Sequence, residues 1–233
     1  MCTVTFIPLN TTEFILTSNR DEQKERETLP PEIYKEDTVK MLFPKDKLAG
    51  GTWIGISSKN RLVCVLNGAF KKHIRQKKYV KSRGVLAKEL LKCEDLSNEI
   101  HTLNLKGIEP FTMIIIEWGK ELKLFELIWD ENEKYFKKLI NKPKIWSSST
   151  LYMDEIKKQR EKWFEDWLHN NQVTSESILK FHHLETEDKE QSVLMKRLYV
   201  ETVSITSVKK DNETIEMLYE DVVHSKKYKS IFT

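Results

Sequence analysis

The residue pattern of this 233-residue chain predicts an α+β fold with mainly antiparallel sheets. Three observations predict it. Runs rich in β-branched and aromatic residues crowd both ends of the chain, and helical patterns are grouped between them. No regular strand–helix alternation marks a βαβ series. Without a repeat, a low-complexity tract or a Pro/Gly/Ser-rich linker, residues 1–233 read as a single domain, and the length suffices for one substantial core.

Cys2 to Leu9 and Glu13 to Thr17 are β-rich runs flanking Asn10-Thr11-Thr12, which predicts a hairpin with a short turn. Residues 23–47 are polar, carry Pro30-Pro31 and Pro44, and read as a long loop. Thr52 to Ile56 and Arg61 to Asn67 predict a second hairpin whose turn ends in Asn60, a residue type that tolerates positive φ. Ser82 can cap a helix running to about Cys93, and a shorter helix follows from Asp95.

Phe111 to Trp118, Glu121 to Trp129 and Lys134 to Ile140 read as a meander of strands. Asp154 to Leu168 carries the clearest helical pattern, with Ile156, Trp163, Phe164, Trp167 and Leu168 on one face and Lys157, Lys158, Glu161 and Glu165 opposite. Ser175 to His182 is a further helix. Val200 to Ser207 and Thr214 to Tyr219 predict a closing hairpin.

Composition narrows the function classes. Lys and Arg number 39 against 36 Asp and Glu, so nothing at whole-chain level calls for nucleic acid or an anionic membrane. The three cysteines, Cys2, Cys64 and Cys93, show neither CxxC spacing nor an even count, which argues against a disulfide framework or a zinc cage and for a reducing compartment. The start lacks the basic and apolar regions of a signal peptide. The apolar stretch Phe111 to Ile116 falls far short of the roughly 20 residues that span a bilayer. A cytoplasmic protein without stable membrane insertion is expected. The six histidines are scattered or, at His182-His183, point apart on a helix, so no metal site is expected. No phosphate-binding or dinucleotide-binding glycine signature occurs, and no cofactor is expected.

Chemistry concentrates at the first hairpin. If its turn centres on Asn10-Thr11 or on Thr11, antiparallel pairing sets Cys2 opposite Asn19 or Arg20. Removal of Met1 would give Cys2 a free α-amine, with a pKa of roughly 8 beside a thiol of roughly 8.5. One residue would then carry both nucleophile and base. A guanidinium would favour the thiolate, and a carboxylate would orient the ammonium. Such a residue suits acyl transfer, most simply amide hydrolysis through a thioester. The bland alternative is that Cys2 is only a small apolar strand residue, the commoner fate of a cysteine.

Ser18-Asn19-Arg20-Asp21-Glu22 resembles the namesake motif of the NRDE family, which includes the transport and Golgi organization protein 2 proteins. Met1-Cys2-Thr3, Gly50-Gly51-Thr52-Trp53 with Gly55, Arg61, Leu66-Asn67 and Ser82-Arg83-Gly84 extend the resemblance over most of the chain. The family is similar in its ordering to N-terminal-nucleophile hydrolases of the penicillin acylase and bile-salt hydrolase kind. The resemblance implies a four-layer αββα sandwich of two antiparallel sheets between helices. It also implies Cys2 as nucleophile, Arg20 against its sulfur, Asp21 on the α-amine and Asn67 as oxyanion donor. Asn19, Trp53, Ser148, Lys77 and Lys78 are the candidate contacts to a substrate, with Asn19 and Glu22 also suited to supporting or turn roles.

Two positions depart from the family pattern. Val203 stands where many members carry an Arg, and Trp146-Ser147-Ser148-Ser149-Thr150 replaces a Leu-Ser-Asn string, so Ser148 or Ser149 would have to supply the missing Asn's hydrogen bonds. Between Asn67 and Ser82 lie Lys71, Lys72, His73, Arg75, Lys77, Lys78 and Lys81 with no acid among them. A solvated basic loop is the ordinary reading, and an anionic small-molecule ligand is the functional one. Two functions are therefore expected in competition. One is a cysteine N-terminal-nucleophile amidohydrolase or acyltransferase acting on a small amide or thioester. The other is a non-catalytic binding or trafficking protein for a lipid, acyl-CoA or haem-like ligand. Substrate and oligomeric state lie beyond the sequence.

Overall fold

The computed structural model describes residues 3–233. They form two compact units, one made of the described residues up to Arg26 together with Lys142–Thr233, the other of Glu27–Asn141.

The first unit holds a six-stranded antiparallel sheet in the order β10-β1-β2-β11-β12-β13. Its centre is the expected hairpin, β1 (Thr3–Pro8) and β2 (Phe14–Glu22), paired from Thr3 with Asn19 to Pro8 with Phe14. The turn is held by the Asn10 side chain, whose Oδ1 accepts from the Thr12 and Glu13 amides at 2.8 and 2.9 Å. On β2 lies β11 (Glu201–Asp211), then β12 (Thr214–Asp221) and β13 (Lys226–Phe232). The expected closing hairpin is thus β11 with β12, extended by a third strand. The other flank of β1 is β10 (Lys144–Ser147).

Helices α3 (Asp154–Asn170) and α4 (Ser175–His182) belong to this unit and match the expected spans closely. Thr174 and Ser177 cap α4 reciprocally. The apolar face of α3 is core as its spacing suggests: Phe164 is buried with Phe181, Ile178, Ile7, Ile15 and Val193, and Trp163, Trp167 and Leu168 pack against them.

The second unit is a seven-stranded antiparallel sheet in simple chain order, β3 to β9, with α1 and α2. Its β5 (Ile54–Ser57), β6 (Arg61–Asn67), β7 (Phe111–Glu117), β8 (Lys123–Trp129) and β9 (Lys134–Leu139) fall where the pattern sets them. Asn60 takes φ 53° in the turn before β6. Ser82 caps α1 (Arg83–Lys92) by accepting from the Val85 amide, and Asp95 caps α2 (Leu96–Thr102) by accepting from Asn98.

Residues 23–47 correct the expectation of a long loop. They hold β3 (Thr28–Glu36) and β4 (Val39–Asp46), a hairpin. Proline reads as a breaker because it cannot donate to a sheet ladder. Pro30 and Pro31 evade that cost because β3 is an edge strand and its register shifts between Leu29 and Glu32, across the two prolines. The helices also stand as two pairs separated by β7–β10, not as one central group.

Two motif strings of the second unit form one piece of packing. A Cβ added at Gly51 would lie 2.6 Å from the Gly84 carbonyl carbon, and one at Gly84 would lie 2.8 Å from the Thr52 carbonyl oxygen. Thr52 N–H donates to Gly84 C=O at 3.2 Å, so the loop before β5 meets the first turn of α1 backbone to backbone. Only residues without a side chain permit that approach.

Candidate active site

Strand β2 carries the namesake motif, buried up to its last residue, Glu22: Ser18 and Asn19 are fully buried, and Arg20 and Asp21 nearly so. A continuous run of polar side chains in a strand interior is costly unless each is bonded. The bonds come from segments far away in the chain.

Asp21 accepts through both carboxylate oxygens. Thr202 Oγ1 donates to Oδ1 at 2.6 Å, and the Tyr152 hydroxyl donates to Oδ2 at 3.0 Å. Thr202 is itself fixed: its Oγ1 accepts from Met195 N–H at 3.0 Å, and its own N–H donates to Met195 C=O at 2.8 Å. The β2–β11 ladder shifts register between Thr202 and Ser204, leaving Val203 as the extra, buried residue opposite the Arg20–Asp21 step. Arg20 Nη1 donates to the Arg26 carbonyl at 3.5 Å.

Asn19 is bonded through its whole carboxamide. Its Nδ2 donates to the His182 and Val193 carbonyls at 3.0 and 2.8 Å, and Oδ1 lies 2.6 Å from His182 Nδ1. Its N–H groups are thereby committed to α4 and the segment that follows it. His182 is fully buried, and Nε2 lies 2.8 Å from Thr5 Oγ1. Burial holds its imidazole down at about 3, with the neighbouring His183 and Arg160 charges acting in the same direction. His182 is therefore neutral at physiological pH and ties β1, β2 and α4 together. His183, one residue on, points elsewhere and lies 2.6 Å from Glu220 Oε2. Burial pushes Glu220 up, but hydrogen bonds from His183 and Lys227 hold it below the ordinary glutamate value.

Arg160 on α3 was not legible as part of this set. It has no exposure, donates to Thr3 Oγ1 at 2.5 Å, and reaches the Gln191 and Ser192 carbonyls. Its guanidinium lies 3.7 Å from the Tyr152 ring centroid, with Arg197 at 5.2 Å. The side chain that donates to Asp21 is thus itself held by two cations. Ser148 is buried beyond the end of β10, with Oγ 2.8 Å from Thr150 Oγ1.

Cys2, the expected nucleophile, lies outside the described residues. In the second unit, Asn67 is the last residue of β6, partly buried, paired with Phe111 and followed by Gly68 at φ 83°. Trp53 is buried, and its carbonyl accepts from Val65 N–H at 2.8 Å. Lys77 and Lys78 are exposed on the loop between β6 and α1. Cys64 is buried, and burial pushes the Cys93 thiol up, so neither has the character of a reactive thiolate. Among the described residues no group of His, Cys, Asp and Glu could hold a metal ion, and no helix is long and apolar enough to cross a membrane.

The same architecture recurs in solved proteins. Penicillin V acylase from Agrobacterium tumefaciens superposes with a TM-score of 0.59 over 98% of this chain and 85% of its own, at 9% identity. A single-residue variant of conjugated bile acid hydrolase from Clostridium perfringens gives 0.59 over 98% and 92%, also at 9% identity. The Caenorhabditis elegans ortholog of N-acylethanolamine-hydrolyzing acid amidase gives 0.57 over 88% and 92%, at 11% identity. At such identities the likeness shows the fold alone, and that fold is the α+β fold of the N-terminal-nucleophile hydrolases. Among curated protein sequences no relative matches. The chain belongs to the Transport and Golgi organisation 2 family, whose model matches residues 1–232.

Proposed function

We propose that this chain is a cysteine N-terminal-nucleophile amidohydrolase or acyltransferase acting on a small amide or thioester. Cys2 is the nucleophile once Met1 is removed. The observation that carries the reading is the β1–β2 register, whose last described pair is Thr3 with Asn19. That register brings Thr3, the residue after Cys2 in the chain, to the strand that carries Arg20 and the buried Asp21 carboxylate, which accepts from Thr202 and Tyr152.

In this mechanism the Cys2 α-amine takes the thiol proton, and the thiolate attacks the substrate carbonyl carbon. Arg20 favours the thiolate, and Asp21 holds the resulting ammonium. The tetrahedral oxyanion needs a hydrogen-bond donor, the role that the family resemblance gives to Asn67, and loss of such a donor costs about 10²–10³ in rate. Collapse breaks the carbon–nitrogen bond, the ammonium returns its proton to the departing amine, and a thioester remains on Cys2. Water activated by the same amine then hydrolyses the thioester. In acyl transfer a second amine takes the place of the water. The acylase, bile acid hydrolase and amidase named among the structural neighbours support amide chemistry on this fold.

A competing reading is a non-catalytic protein that holds a lipid, acyl-CoA or haem-like ligand. It is favoured by Val203, whose apolar side chain stands at the bulge where family members carry an Arg.

Intact mass gives the first test, because a chain retaining Met1 has no free amine on Cys2. Treatment with a thiol-directed acylating probe, followed by peptide mapping, gives the second. The expected label is on Cys2, is absent from Cys2→Ala, and forms at least about 100-fold more slowly in Asp21→Asn. Labelling that bypasses Cys2, or persists in Cys2→Ala, sinks the catalytic reading. Unimpaired ligand binding by Cys2→Ala would then support the second.

A further inference from the structure

The chain's charge is unevenly distributed. Residues 68–83 hold seven Lys and Arg and no acid, so the other residues carry 32 cations against 36 acids. A chain with a formal charge of +3 is thus a net-acidic body bearing one concentrated basic segment.

The segment's two ends are fixed within the second unit. Lys81 forms a parallel bridge with Ile108, and Val80 N–H donates to Gly107 C=O at 2.9 Å. Glu109 gathers His73, Arg75 and Arg83, and Lys81 pairs with Glu89. Phe70 packs edge-on against Tyr135. These bonds engage one part of the loop and leave another facing water. Lys71, Lys72, Lys77 and Lys78 are exposed and meet no carboxylate among the described residues. Ile74 is 92% exposed, Val80 84% and Phe70 50%. Exposed isoleucine and valine are ordinary singly, but here they are interleaved with unpaired lysines on one anchored loop.

We propose that this loop docks the protein on an anionic lipid bilayer. The four lysines would lie at the headgroups, and Ile74 and Val80 would enter the boundary between headgroups and acyl chains. Charge complementarity selects this partner: a negative surface attracts the basic segment. The association is peripheral and independent of any chemistry at Cys2.

Cosedimentation with vesicles of phosphatidylcholine alone and of phosphatidylcholine mixed with phosphatidylserine tests it. The expected result is binding to the mixed vesicles only, weakening as salt shortens the screening length from about 10 Å at 0.1 M. Replacing Lys71, Lys72, Lys77 and Lys78 by alanine should lower the partition coefficient by about 100-fold or more. Ile74→Ser with Val80→Ser should lower it by about tenfold. Removing Lys158 and Lys162, exposed on α3, should leave it unchanged. Phosphate and chloride at equal ionic strength should release the protein equally, whereas selective release by phosphate would show a free-anion site and overturn the proposal. Equal binding to both vesicle types, an unaffected four-lysine variant, or an equal loss in the α3 control would overturn it as well. All replaced positions are on the surface, and an unchanged circular dichroism spectrum confirms that the variants are folded.

Discussion

The two units are of nearly equal length, yet they are filled differently. Among the described residues the first buries 17 polar or charged side chains and the second only six. The second is held by a large apolar cluster that packs α1 and α2 on its sheet, with Leu86, Leu90 and Leu91 against Val63, Val65 and Phe43. The first sets Asn19, Asp21, Arg160, His182 and Thr202 where hydrophobic residues would serve stability better. A buried polar group must find partners or cost free energy, so a unit that keeps many is constrained by something besides stability. Arg20 and Asp21 of the candidate site lie in that unit.

The two buried arginines make the contrast sharpest. Arg61 in the second unit has an ion-pair partner in Glu117 at 2.7 Å and reaches the Leu90 and Cys93 carbonyls at the end of α1. Arg160 in the first has hydroxyl and carbonyl acceptors and the face of Tyr152. Arg160→Ala should be the more damaging change, at about 3–5 kcal/mol, because two carbonyls and the Thr3 hydroxyl lose their donor, and Thr3 and Ser192 are fully buried. Arg61→Ala should cost about 2–3 kcal/mol, since Glu117 is a quarter exposed and can hydrate. Denaturant midpoints at constant slope measure both, and equal losses would break the comparison.

In the second unit the sensitive element is backbone packing. Gly51→Ala should cost about 3 kcal/mol, because the new methyl meets main chain, which cannot swing aside. Retention of full stability would mean that the loop and α1 separate freely.

Acid should act through the first unit. His182 has a folded-state pKa of about 3 against 6.5 for an exposed histidine, so its contribution is complete above pH 6.5 and is lost as pH falls from 6.5 towards 3. From pH 7 to pH 5 the loss is about 2 kcal/mol, in a range where carboxylates have scarcely begun to titrate. His182→Gln should be less stable at pH 7 but show a flatter dependence between pH 7 and 5. The smallest expected effect is Thr202→Val, about 1 kcal/mol in stability. If Asp21 serves as proposed, the same change slows Cys2 acylation by a larger factor than that loss implies.

Much of the fold was legible because its signals are local. Ser82, Asp95, Asn10 and Asn60 each act within four residues of themselves, so the sequence suffices to place two helix starts and two turns. Strands β6, β7 and β8 are internal to their sheet, and their apolar runs announce it. Strands β3, β4, β10 and β13 went unread, and all of them except β4 are sheet edges. An edge has one neighbour to satisfy, so it tolerates the prolines of β3 and the lysines of β13 that a central strand would exclude.

By itself the sequence determined the fold class, most of the elements, and the first hairpin, whose second strand runs on past Thr17 through Asn19, Arg20 and Asp21. A strand's period and a turn's length set those through neighbours in the chain. Only the tertiary structure decided what those polar residues meet, since Tyr152, Thr202 and His182 come from 131 to 181 residues away and no local pattern encodes such pairings. It also decided that Arg160, which a helical wheel leaves unremarkable, is buried against Thr3 and the ring that donates to Asp21. A buried polar group's role is set by its partners, and those exist only once the chain is folded.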